Sequence, residues 1–245
     1  MKFGIDLGHG VDGDRGAVGR IPEENIIDEI GKILIKNLKQ AGHTVVELRP
    51  DRAKNVPDSL MMRYNKANYY NVDMCISIHA NIGGGRGTEI YTYNGNEFLE
   101  AKNVLDNLIS LGFKNRGIKD GSHLAMIRRT KSKSMLIEIC FLDSDDVDIY
   151  KNAGSKKISD AILNGITNSK AEKKRCFVVT NYLKSSYEGY DGVEINKVMN
   201  YFKNIRCYLR FNQKGIWIET QYLKEDECEK LKEKLGNLFY EIKYE

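Results

Sequence analysis

Short apolar runs alternate with longer amphipathic stretches over the first two thirds of the chain. Lys2–Leu7 (KFGIDL), Thr44–Leu48, Met74–His79 (MCISIH), Gly87–Tyr93 and Met135–Phe141 (MLIEICF) are short, apolar and rich in β-branched residues, the pattern of buried strands. Between them, Pro22–Gln40 sets Ile26, Ile27, Ile30, Leu34 and Leu38 on one helical face, and Pro22 suits a first helical turn. Further helices are expected from a cap at Asp58 or Ser59 to about Asn71, over Asn96–Leu111, and near Lys156–Thr167. Leu124–Arg128 reads as one more strand, and GGGRG as a turn. This alternation predicts an α/β fold, a mostly parallel twisted sheet flanked by helices, across residues 1–168.

The polar stretch NSKAEKKR then reads as a linker, placed at 169–174, and the texture changes after it. Strands are expected at Cys176–Leu183, Ile205–Phe211, Ile216–Tyr222 and Tyr240–Tyr244. Helices carry Ile195, Val198, Met199 and Phe202, and then Cys228, Leu231, Leu235 and Leu238. The order βαββαβ predicts a small α+β domain of ferredoxin-like type over 175–245. Some seventy residues fold alone only marginally (about 60% of the unfolded surface buried at this size). Eight of the 14 tyrosines and the one tryptophan, Trp217, lie in this last part, which holds none of the histidines.

Composition narrows the function. The chain has 245 residues, 41% hydrophobic and 29% charged, with a formal net charge of +4 but no dense basic run. Nucleic acid is therefore not an expected partner, although a mildly basic protein is drawn to anionic polymers such as a wall surface. Five cysteines, without a C-x-x-C pair, indicate no disulfide framework and a reducing compartment. MKFGIDLGHG reaches glycine and charge too soon for a signal peptide, and no apolar run approaches the roughly 20 residues of a membrane span. A soluble protein made in a cytoplasm, with no membrane partner, is expected.

Ligands of open α/β sheets gather beyond the carboxyl ends of the strands. His9 follows the first strand, His79 ends the strand CISIH, and Glu138 interrupts the apolar MLIEICF. Glu23 opens the first long helix, with Glu24 and Glu29 as competitors. Two histidines and a carboxylate are the donors of a catalytic zinc that keeps a position for water, and a second carboxylate would serve as general base. Each has a plainer reading: strand-end histidines satisfy hydrogen bonds, and a helix-N-terminal Glu answers the dipole. Glu138 is harder to set aside, because a buried carboxylate without a partner is costly. His43 reads as structural, His123 as a surface loop or a substrate neighbour, and Asn81 as a turn former or a hydrogen-bonder near the site. Asp12 and Asp14 read as solvated loop acids or cleft lining, Arg128 and Arg129 as a solvated strand end or a substrate-carboxylate site, and Gly83–Gly85 as a flexible turn.

IDLGHGVDGDRGAVG, Glu23 before an apolar helix, ISIHAN followed by GTEIYTY, NRGIKD and MLIEICF, in that order, resemble the zinc-dependent N-acetylmuramoyl-L-alanine amidases of the amidase-3 type, most closely clostridial phage endolysins. The resemblance implies one catalytic Zn²⁺ on His9, Glu23 and His79, with Glu138 as the catalytic glutamate. Ile30–Gly31 matches the family spacing from Glu23, although Glu24 is adjacent. It also implies hydrolysis of the amide between N-acetylmuramic acid and L-alanine in peptidoglycan. The enzyme would be made in the host cytoplasm and reach the wall through a phage pore at lysis, with the C-terminal domain binding the wall. A zinc peptidase, a deacetylase, a bacterial autolysin and a non-enzymatic wall-binding protein remain as alternatives.

Overall fold

In a computed structural model of the chain, residues 1–168, 175–184, 193 and 195–244 are described. The linker expected at 169–174 lies outside them. Two compact units divide between Ser169 and Lys170.

The first unit contains strands β1 (Lys2–Leu7), β2 (Thr44–Glu47), β3 (Met74–Asn81), β4 (Thr88–Thr92), β5 (Asn115–Asp120) and β6 (Lys133–Phe141). Its helices are α1 (Glu23–Gln40), α2 (Val56–Tyr69), α3 (Leu99–Ser110), α4 (Ala125–Arg129) and α5 (Asp146–Ile166). One six-stranded sheet runs β2-β1-β3-β6-β4-β5. Every pairing is parallel except β4 against β6. Period-two alternation sends Phe3, Ile5, Leu7, Ile76, Ile78, Met135, Ile137 and Ile139 into the main core, which also takes the apolar face of α1 and residues of α3 and α5. A smaller cluster on Cys75 joins Ala67 of α2 to Met126 of α4. The strands are covered on both faces, as parallel sheets require.

Three differences from the sequence reading have physical causes. The segment expected as a strand at Leu124–Arg128 is helix α4. Its neighbours Met126 and Ile127 are both buried, which a half-buried strand of period two does not allow. β5 escapes the apolar pattern because NRGIKD is a polar edge strand, exposed or half-buried throughout. α5 begins ten residues before the expected start and turns at Gly154, whose φ of 78° interrupts its periodicity. β3 also continues past His79 to Asn81.

The second unit has β7 (Cys176–Thr180), α6 (Ile195–Met199), β8 (Cys207–Asn212), β9 (Gly215–Thr220), α7 (Glu225–Leu235) and β10 (Phe239–Tyr244). Its antiparallel sheet runs β10-β7-β9-β8, the order of the split βαββαβ arrangement. Val178, Ile218, Phe202, Cys228, Leu231 and Leu235 form its core. All five cysteines are free. Among the described residues no helix is long and apolar enough to cross a membrane.

α5 crosses α3 closely at Gly165, where a Cβ would lie 2.7 Å from the Val104 backbone nitrogen and 2.8 Å from its Cα. In an open helix Gly→Ala stabilises by about 1 kcal/mol. Here overpacking reverses the sign, and Gly165→Ala is expected to lose about 1–3 kcal/mol in denaturant unfolding of the full chain. A gain in stability would contradict the close crossing.

Candidate metal centre

β1, β3 and β6 lie side by side, so their carboxyl ends form one edge. The register places Asp6 beside Ser77, His79 beside Glu138, and Glu138 beside Glu89 of β4. Paired positions point to the same side of a sheet, so at the carboxyl ends of the strands these polar groups share one face, opposite the main core. His9 follows β1 in left-handed conformation (φ 54°), which turns the chain sharply back across the edge. The tightness of this turn explains Gly8: any Cβ there would overlap the His79 ring.

Glu23 enters from the first turn of α1. Its Oε1 lies 3.3 Å from His79 Nδ1 and 3.7 Å from His9 Nε2. The two imidazoles stand edge to face, with centroids 5.0 Å apart. One donor atom from each of His9, Glu23 and His79 falls within 4.8 Å of the others, the spacing of a shared metal ion. Glu23, 3% exposed, is held by the Ala17 N–H on Oε2 (2.9 Å) and the Ala80 N–H on Oε1 (3.1 Å). His9 Nδ1 bonds Asp14 Oδ1 at 2.7 Å, which turns Nε2 toward Glu23 and sets the tautomer a metal ligand needs. Burial works against charge on Glu23 and His79, but their mutual hydrogen bond overcomes it, holding Glu23 below its ordinary pKa and His79 above. Two imidazole nitrogens and a carboxylate suit Zn²⁺ better than Mg²⁺ or Ca²⁺, which prefer oxygen shells.

Glu138 stands beside this cluster. Its Oε2 is buried and has no hydrogen-bond partner among the described residues. Burial pushes its carboxyl up to about 7; the His79 charge opposes this and Glu23 and Glu89 add to it. Glu89, on the other side, is a buried carboxylate of the opposite kind. Burial works against its charge, but Lys119, Arg116 and Tyr91 bond it and keep it below the usual range. Neighbouring carboxyls are thus driven apart, one fully satisfied and ionised, one left with a bare oxygen.

Other sequence candidates fall elsewhere. Glu24 accepts from the Gly16 N–H and Arg15, and Glu29 from Tyr150 and Ser155, so Glu23 alone of the three faces the histidines. Asp12 pairs with Arg15 in solvent. Asp14 is not a solvated loop acid: it is 2% exposed and bound to His9. Asn81, expected as a turn former or a hydrogen-bonder near the site, is instead the last residue of β3, where its side-chain amide donates to Glu89 and its Oδ1 accepts from the Ile82 N–H. His43 packs edge-on to Phe3. His123 is exposed, edge-on to Tyr91. Arg128 and Arg129 are exposed at the end of a helix rather than of a strand. The 83–85 turn is pinned, with Gly83 and Gly84 N–H groups on Asp143.

Sequence reasoning missed Arg63. Its guanidinium is 1% exposed and donates to Asp6 Oδ1 (2.6 Å), Leu7 O (2.6 Å), Ser59 Oγ (2.9 Å) and His9 O (2.8 Å), with Asp14 Oδ2 at 3.5 Å. The available signal is Ser59, Arg63 and Ala67 at successive i+4 positions, the buried side of α2. Arg49 adds a second clamp on the Leu7 and Gly8 carbonyls. Asp14→Ala is expected to weaken zinc affinity, titrated against a competing chelator, by 10–100-fold (the scale of such outer contacts, roughly); unchanged affinity would deny Asp14 its orienting part. Arg63→Met, which strands the Asp6 carboxylate, is expected to cost about 3–5 kcal/mol of unfolding free energy. A loss below 1 kcal/mol would show that Asp6 finds water instead.

Comparison with known proteins places the chain among relatives and solved structures. An uncharacterised protein of Clostridium perfringens is 34% identical over 71% of the chain and 53% of its own length. The endolysin of Bacillus phage SPP1 is 30% identical over 69% of the chain and 62% of its own length. The chain thus spans between half and two thirds of these relatives. Among solved structures, the catalytic domain of the CD27L endolysin targeting Clostridia difficile is 26% identical with a TM-score of 0.62, over 69% of this chain and 97% of that one. A family model matches residues 4–168, and on that match the chain belongs to the Amidase_3 family, N-acetylmuramoyl-L-alanine amidase.

Proposed function

We propose that the chain is a zinc-dependent N-acetylmuramoyl-L-alanine amidase of phage endolysin type. It hydrolyses the amide between the lactyl group of N-acetylmuramic acid and the L-alanine of the stem peptide. Residues 1–168 are its catalytic domain and 175–245 its wall-binding domain. It is made inside the host and acts on the peptidoglycan at lysis. The observation that carries the reading is the meeting of His9, Glu23 and His79 around one point beside the Oε2 of Glu138, which has no hydrogen-bond partner among the described residues. The likeness to an endolysin supports the phage setting.

His9, Glu23 and His79 hold the metal. When bound, Zn²⁺ supplies Lewis acidity, which polarises the amide carbonyl and makes water a nucleophile near neutral pH. Glu138 acts as the general base: its free oxygen takes a proton from the attacking water and later delivers it to the departing alanine nitrogen. The other acidic groups nearby cannot compete for that task. Glu23 Oε2 is committed to the Ala17 N–H and Glu89 to two cations. Asp14 keeps His9 oriented through the reaction, and Gly8 leaves the His79 ring its space.

Amino groups released from purified walls measure the reaction. Chelator is expected to abolish release and added zinc to restore it. Glu138→Gln is expected to lower the rate about 10²–10⁴-fold while still binding one zinc. The new N-terminus on the products is expected to be alanine. Full activity of chelated Glu138→Gln protein, or another N-terminal residue, would overturn the reading.

A further inference from the structure

Among the described residues, the helices of the C-terminal unit pack on one face of its sheet. Val178, Ile218 and Cys176 point to the side of Cys228, Leu231 and Leu235 of α7. The register puts the alternate residues on the other side: Val179 beside Glu219 and Glu241, Phe177 beside Lys243, Tyr208 beside Glu219, Arg210 beside Trp217. Among the described residues of this unit, no helix contributes to that side. At one end of it a groove of about 960 Å³ runs past Arg175, Arg206, Arg210, Phe177, Tyr208 and Tyr222.

Its charges do not balance. The groove is lined by four cations, the three arginines and Lys224, against two acids. Both acids are already engaged. Glu219 accepts from Arg210 (2.9 Å) and from Trp217 Nε1 (3.2 Å), and Glu227 caps α7 through the Lys224 N–H (2.9 Å). Arg175 and Arg206 have no carboxylate partner among the described residues. An unpaired guanidinium fork beside a groove matches a phosphate oxyanion bidentately.

The rings narrow the choice. Tyr208 and Tyr222 are 43% and 48% exposed, and Tyr222 meets Phe177 edge-on at 5.6 Å. Arg175 lies 6.0 Å over the Tyr222 ring and Arg210 5.6 Å over Tyr208. Each ring thus already carries a guanidinium, so the groove presents cations and ring surface together. A phosphodiester would accept from the guanidiniums of Arg175 and Arg206, which have no carboxylate partner among the described residues, while the C–H groups of a sugar or polyol would pack on the exposed rings. We propose that this groove binds an anionic wall polymer, sugar or polyol units joined by phosphodiesters. The proposal rests on the wall as the site of action and gives the C-terminal unit its ligand chemistry.

The test uses the full chain carrying Glu138→Gln, so that walls are not digested during binding. The probes are purified walls that keep their phosphodiester polymers, and the same walls stripped of them by hydrofluoric acid. Retention is expected to fall at least tenfold on stripping. Arg175→Ala/Arg206→Ala is expected to show a similar fall on unstripped walls, with far-UV circular dichroism and unfolding midpoint unchanged. Lys184→Ala/Lys214→Ala, which removes the same charge away from the groove, is expected to fall less than twofold. With Glu138 restored, the arginine variant is expected to release amino groups from solubilised, stripped wall at the parental rate. That last measurement separates failure of the groove from failure of the amidase reading. Equal retention on stripped walls, an unchanged arginine variant, an equal loss in the lysine control, or tighter binding to oligothymidylate than to walls would each overturn the proposal.

Discussion

The guanidinium of Arg63 sits where water does not reach, so every acceptor it needs must come from the protein. Those acceptors are Asp6 inside β1, the Leu7 and His9 carbonyls at its end, and Ser59 one turn back on α2. Asp6 is in turn closed by the Ser77 hydroxyl of β3 at 2.6 Å. Two strands, a helix and the turn after β1 are thereby tied to one buried charge. Because removing any member strands another, the loop that presents His9 cannot drift without breaking the set. The left-handed φ of His9 persists for the same reason, since a non-glycine residue holds that conformation only where its surroundings impose it.

From that anchor the site follows with little further freedom. The parallel register of β1, β3 and β6 brings the end of β1, His79 and Glu138 along one edge. α1 packs Ile26, Ile27 and Ile30 into the core, so its first turn can reach the edge only with Glu23. Backbone N–H groups of Ala17 and Ala80 fix that carboxylate from two sides. Donors held this way lose little freedom when a cation arrives, which is what preorganisation contributes to affinity. The like-charged carboxyls are kept apart in role by their surroundings: Arg116 and Lys119 hold Glu89 ionised, while Glu138 has no lysine or arginine partner among the described residues.

Much of this was legible in the sequence, and the illegible parts share a cause. β1, β3 and β6 declare themselves as apolar runs because both their faces are covered, and α1 does so through its five-residue apolar face. His9, His79 and Glu138 stood out because each breaks or ends such a run. Glu23 needed the resemblance to separate it from Glu24, and the structure separates them by contact. What stayed hidden is stabilised by tertiary partners rather than by pattern. β5 is a polar edge strand whose Arg116 and Lys119 satisfy Glu89. α4 is too short for a period to form. Asp14 looks like any loop acid until Arg63 and His9 surround it, and Arg63 looks like any surface arginine until α2 is laid on the sheet.

The central claim is that His9, Glu23 and His79 share one divalent ion. Anomalous diffraction at the zinc edge from crystals of the zinc-loaded chain tests it without reference to activity. The account predicts a single strong peak in the catalytic unit within bonding distance of His9 Nε2, a Glu23 carboxylate oxygen and His79 Nδ1, at the ~2.0–2.2 Å typical of such ligands. No peak there, or a peak bound by other side chains, would contradict it.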